Sequence, residues 1–137
     1  MQDVHRQLFG SSVAEEITLG LTEQQAQSVD VGGLLADMDL AGLAERHPLS
    51  LSGGQKQRLV IAAALARRCR IYLFDEPTSG VDYRHLQAIT ARIRSLAQAG
   101  NVVVVITHDT EFLAQVADRV VDLPLLTATD SSREETR

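Results

Sequence analysis

Two uninterrupted apolar runs, Ile71-Tyr72-Leu73-Phe74 and Val102-Val103-Val104-Val105-Ile106, decide what the second half of this chain can become. Runs without polar alternation suit strands covered on both faces, as in a parallel sheet. Between them Leu86, Ile89, Ile93 and Leu96 recur at helical spacing, which predicts a helix from about Tyr83 to Ala99 stopped by Gly100-Asn101. Strand, helix and strand make a βαβ unit with the expected right-handed crossover. In such sheets ligands bind beyond the carboxyl ends of the strands. Asp75-Glu76 lies at one such end and Thr107-His108-Asp109 at the other.

An acidic pair in that place suits two jobs. One carboxylate can hold Mg²⁺, usually through water, and the next can orient or deprotonate an attacking water. A neighbouring histidine can stabilise charge on a transferring phosphoryl group. Alone, Asp75-Glu76 reads as a solvated loop and His108 as a hydrogen-bonded surface histidine; on adjacent elements of one βαβ unit they weigh together towards chemistry.

Upstream, Leu51-Ser52-Gly53-Gly54-Gln55 precedes the apolar stretch Leu59–Ala66. Ser52 with Gln55 three residues later is a capping-box pattern, and it predicts a helix over 53–68 ending near Arg67, Arg68 and Arg70. The glycines would let a ligand approach the backbone, and a helix N-terminus attracts phosphate. The same residues suit an ordinary capped helix after a Gly-Gly turn.

Before that stretch the pattern is helical. Ser11-Ser12 caps a short helix to about Leu19, Thr22-Glu23 starts a second, and Gly32-Gly33 predicts a break or a restart near Asp30. After Ile106 a short helix around Thr110–Ala117 and a strand near Arg119–Leu123 are expected, then a polar, disordered tail. There are 18 acidic and 13 basic residues, a net charge of −5, which argues against nucleic acid as the main partner. The single cysteine, Cys69, excludes an internal disulfide, fits a reducing cytoplasm, and reads as a buried structural thiol. No apolar run is long enough to span a bilayer and no signal peptide opens the chain, so a membrane role would come through a partner.

Taken in order, these motifs resemble the ATP-binding-cassette (ABC) ATPases. Leu51–Gln55 resembles their signature motif, Ile71–Glu76 their Walker B strand, and Ser79-Gly80-Val81-Asp82 their D-loop. His108 matches the switch histidine and Gln2 the Q-loop glutamine, so the resemblance runs from Gln2 to Leu123. It implies an α/β fold, a P-loop NTPase-like parallel sheet flanked by helices, truncated by lack of the Walker A strand, with an N-terminal helical subdomain. Residues 1–50 would hold the Q-loop and helical subdomain, 51–126 the signature helix, Walker B, D-loop and switch histidine, and 127–137 the tail. By the same resemblance Asp75 helps position Mg²⁺, Glu76 is the base for water, and His108 contacts the γ-phosphate. Gln2 links metal and nucleophile to the helical subdomain and membrane partner. Ser52, Gly53, Gly54 and Gln55 contact ATP held by the opposite subunit, and Asp82 couples the two sites across the dimer.

Gln7-Leu8-Phe9 with Val13-Ala14-Glu15-Glu16-Ile17 looks most like the ATPase subunits of energy-coupling-factor importers of vitamins, cobalt or nickel, although helix-start and core roles explain Val13, Glu16 and Ile17 equally well. No G-x-x-x-x-G-K-[ST] occurs in the chain, so nothing in it can wrap the β- and γ-phosphates as that loop does. Met1 would then be an internal methionine or mark a truncated gene. Unpaired edges on the two strands and marginal stability are expected, and the chain alone would neither bind ATP tightly nor hydrolyse it. The implied function is the ATP-hydrolysing subunit of an ABC importer, at the cytoplasmic face of the membrane, with a second ATPase subunit and a transmembrane permease. The alternatives are a soluble ABC ATPase acting on ribosomes or DNA, and an inactive fragment that pairs with an intact cassette.

Overall fold

The computed structural model describes residues 8–122. The described chain begins with three short helices, α1 (Val13–Thr18), α2 (Glu23–Gln27) and α3 (Val31–Asp37). Each has a side-chain cap: Ser12 accepts from the Glu15 amide, Thr22 forms a complete capping box with Gln25, and Asp30 accepts from the Gly33 amide. The helix therefore restarts at Asp30 as expected, and Gly32-Gly33 fall inside its first turn rather than breaking it. Two 3₁₀ turns, Ala41–Leu43 and Pro48–Ser50, lead into α4 (Gly53–Ala66).

Helix α4 is the spine of the molecule. It buries Leu59, Ile61, Ala62 and Ala66, and α1 and α3 pack against it. Val13, Ile17, Leu35, Met38 and Leu40 complete that side of the core. At its far end the cap residue Arg67 donates to the Leu19 carbonyl at 3.0 Å, and Arg68 donates to the Ser28 carbonyl at 2.9 Å.

The βαβ unit follows as β1 (Ile71–Asp75), α5 (Tyr83–Gln98) and β2 (Val102–Ile106), then α6 (Thr110–Val116). The strands pair in parallel with Ile71 opposite Val102 and Asp75 opposite Ile106. Among the described residues the sheet has these two strands.

Three expectations change here. Both strands were expected to be covered on both faces, yet burial alternates along β1. Tyr72 and Phe74 are buried, their rings stacked at 6.2 Å, while Ile71 and Leu73 are 67% and 66% exposed. Val102, Val104 and Ile106 stand out on β2, because among the described residues the helices cover one face of the sheet. Cys69 is exposed, not buried, since it lies in the turn after α4 rather than on the helix. Residues 119–122 form no strand: they join neither β1 nor β2, and Val120 and Val121 are exposed. Gln2, Leu123 and the tail 127–137 lie outside the described residues.

Candidate nucleotide site

Glu76 follows β1 directly, in a left-handed backbone conformation with φ of 49°. A non-glycine residue holds that conformation only where its surroundings fix it. Here two main-chain bonds do so. The Glu76 amide donates to the Ile106 carbonyl at 2.8 Å, and the Glu76 carbonyl accepts from Gln57 Nε2 at 3.1 Å. The first bond ties Glu76 to the end of β2, and the second ties it to α4.

The carboxylate is thereby aimed at the loop after β2. His108 Nδ1 lies 2.8 Å from Oε1, the His108 amide donates to the same oxygen at 3.2 Å, and Thr107 Oγ1 donates to Oε2 at 3.2 Å. Burial pushes the Glu76 carboxyl up, but the bonds from His108 and Thr107 outweigh it and hold the group below its ordinary value. The same contact raises His108. The ring is otherwise open to solvent, 89% exposed. The structure thus brings Glu76 and His108 together at the carboxyl ends of adjacent parallel strands, with the carboxylate engaged by the histidine.

Asp75 is exposed at the end of β1, and its carboxylate has no protein partner among the described residues. No group of three or more His, Cys, Asp or Glu side chains able to hold a metal occurs among the described residues. One free carboxylate fits Mg²⁺, which is commonly held by one or two carboxylates together with water and substrate phosphates.

The signature stretch forms the capping box read from its sequence: Ser52 Oγ accepts from the Gln55 amide at 3.4 Å, and Gln55 Oε1 accepts from the Ser52 amide at 2.9 Å. The first-turn amides of a helix have no intrahelical acceptor and point outward. The two glycines differ. Nothing lies within 4 Å of where a Cβ on Gly53 would stand, whereas one on Gly54 would sit 2.8 Å from the Gly80 carbonyl oxygen. Gly53 leaves the backbone open to an approaching ligand, and Gly54 lets the D-loop close against the helix. Gly80 itself has φ of 72°, so the D-loop needs its own glycine too.

Asp82 ends the D-loop and caps α5, accepting the His85 amide at 3.1 Å. Sequence reasoning gave no role to Gln57 and Thr107, whose side chains hold Glu76, to His85, which holds Asp82, or to Asp39, which meets His85. Gln57 lies one helical turn beyond Gly53 and Gly54, on a helix already expected to be functional. That position is the one signal that points to it.

An ABC transporter family model matches residues 1–79 of the chain. A putative ABC transporter ATP-binding protein of Treponema denticola is 46% identical over 123 residues, 90% of this chain and 25% of that protein. The cobalt import ATP-binding protein CbiO of Rhodobacter capsulatus is 39% identical over 125 residues, 88% of this chain and 44% of that protein. Among solved structures, the archaeal ribosome recycling factor aABCE1, crystallised with ribosomal stalk protein aP1, superposes with a TM-score of 0.67 at 28% identity, over 82% of this chain and 22% of that one. A putative metal-chelate type ABC transporter in an inward-facing conformation gives 0.61 at 32% identity, over 81% of this chain and 50% of that one. The chain spans from 22% to 50% of the length of these four proteins. No helix among the described residues is long and apolar enough to cross a membrane. Sequence and fold agree with the family match, and the chain belongs to the ABC transporter ATP-binding family.

Proposed function

We propose that this chain is the signature, Walker B, D-loop and switch portion of an ABC-type ATPase that drives solute import through a membrane permease. The Glu76–His108 pair, set 2.8 Å apart at the carboxyl ends of two parallel strands, carries the reading. In it, Glu76 accepts a proton from the attacking water once His108 lets go of it, and His108 then turns to the γ-phosphate. Asp75, with Gln2, would hold Mg²⁺, which when bound would neutralise developing phosphate charge. Ser52, Gly53, Gly54 and Gln55 offer their helix end to ATP held by a second ATPase subunit, and Asp82 couples the two sites. The segment 1–50 is the helical subdomain facing the permease, 51–126 the ATPase part, and 127–137 a tail. The assembly sits at the cytoplasmic face of the membrane and is not directed at nucleic acid. Cobalt import by CbiO makes a metal-ion or vitamin cargo the favoured class.

A ribosome-directed ATPase is the second reading, favoured by the superposition on the ribosome recycling factor. Stimulation by ribosomes would support it, and stimulation by a permease would support import. The primary test measures ATP binding and hydrolysis for the 137-residue chain and for a cassette in which a G-x-x-x-x-G-K-[ST] loop precedes it, each also with Glu76→Gln. Turnover only in the longer form, abolished by Glu76→Gln with binding kept, is the expected result. Hydrolysis by the 137-residue chain alone would overturn the claim that it depends on a phosphate loop supplied elsewhere.

A further inference from the structure

His85 stands in the first turn of α5, three residues after Asp82, with its side chain 14% exposed. Both ring nitrogens face carboxylates. Nδ1 lies 2.7 and 2.8 Å from the two Asp82 oxygens, and Nε2 lies 3.0 Å from Asp39 Oδ2, 46 residues earlier in the chain. Asp39 follows α3 in a left-handed conformation, φ 54°. Arg84 reaches the same Asp39 oxygen at 3.5 Å, and Arg58, whose Nε donates to the Met38 carbonyl at 2.8 Å, is the other cation facing both carboxylates.

A neutral imidazole has one donor and one acceptor nitrogen, whereas the imidazolium has two donors. Ionised carboxylates can only accept. Either neutral tautomer would turn a lone pair onto one of the two aspartates, so both contacts together require the doubly protonated ring. We propose that His85 is an imidazolium bridge and a positioning residue for Asp82, fastening the D-loop carboxylate to the turn at Asp39. The value of placing Asp82 rests on the function proposed above; the bridge does not.

The carboxylates respond as groups facing a cation should. Asp39 is held below its ordinary value chiefly by the hydrogen bond from the ring, and Asp82 by the His85 amide and then the ring. The Asp82 contact lies within one helical turn and is reinforced by the backbone bond, while the Asp39 contact joins distant segments.

Proton–nitrogen NMR of the ¹⁵N-histidine-labelled full chain tests this just below the ordinary histidine value of about 6.5. Two slowly exchanging ring N–H correlations are expected for His85. Asp39→Ala should remove the Nε2–H correlation and keep the Nδ1–H one. His85→Gln should move the carboxyl titrations of both Asp39 and Asp82 to higher pH. A single ring N–H in the wild-type chain, two surviving in Asp39→Ala, or unmoved carboxyls in His85→Gln would each overturn the proposal. So would a wild-type chain without a dispersed amide spectrum, because it has no bridge to observe. None of these readouts involves ATP, so their failure leaves the proposed function standing, and failure of the ATPase test leaves the bridge standing.

Discussion

Gly53 and Gly54 are neighbours in one helix turn, and exchanging each for alanine separates two effects that normally arrive mixed. Alanine at either position gains helix propensity, at most about 1 kcal/mol. At Gly53 the new methyl meets open space. At Gly54 it would stand 2.8 Å from the Gly80 carbonyl oxygen, where relaxed carbon–oxygen contacts begin at about 3.3 Å. The missing half-ångström has to come from backbone on both sides, since neither atom belongs to a flexible side chain. Overpacking of this kind costs about 1–3 kcal/mol. The propensity gain is common to both variants, so their difference isolates the contact. At about 4 °C per kcal/mol, Gly53→Ala should melt roughly 4–12 °C above Gly54→Ala. Thermal melts followed by far-UV circular dichroism measure this. Equal shifts for the two variants would show that the D-loop does not rest on the signature helix, and would refute the argument.

Gln57→Ala should cost about 1 kcal/mol, the net worth of one lost hydrogen bond to the Glu76 carbonyl, and so lower the urea midpoint; an unchanged midpoint would mean Gln57 does not hold that backbone. Because their contact raises His108 and lowers Glu76, the stability from this pair is complete between the ordinary carboxylate and histidine values, and is lost as pH rises through the raised His108 value or falls through the lowered Glu76 one. Glu76→Gln should therefore return the His108 ring titration, followed by proton NMR, to lower pH, and no movement would contradict the pairing. Exposed Cys69 should react with a thiol reagent in the native chain as fast as it does in urea; strong native protection would restore the buried reading.

The βαβ unit was legible because its signals are local: two apolar runs and one helical period suffice to place β1, α5 and β2 within a residue or so. The capping box at Ser52 was legible for the same reason, its partners lying three residues apart. Covering of the sheet was not, since Ile71 and Leu73 differ from Tyr72 and Phe74 only in which side meets helices, and that is settled by segments far away in sequence. Cys69 was misplaced because the helix stops at Ala66, where Arg67 turns to cap it and Arg68 takes a φ of 47°, so the periodicity no longer applies three residues on. At the site, the chemical groups were visible as types in order along the chain. Their supports were not: Gln57 to Glu76 and His85 to Asp39 are contacts across 19 and 46 residues, and nothing in either side chain advertises its partner.

Helix α4 is fastened at both ends: Gly54 and Gln57 to the Glu76–Gly80 segment at one, Arg67 and Arg68 to the Leu19 and Ser28 carbonyls at or beside the other. Its 14 residues make it a rigid rod of about 21 Å. By geometry, a tilt of about 5° at one end of such a rod displaces the other by about 2 Å over that length. Leu19 and Ser28 close α1 and α2, so the Arg67 and Arg68 bonds join any tilt of α4 to the ends of those two helices.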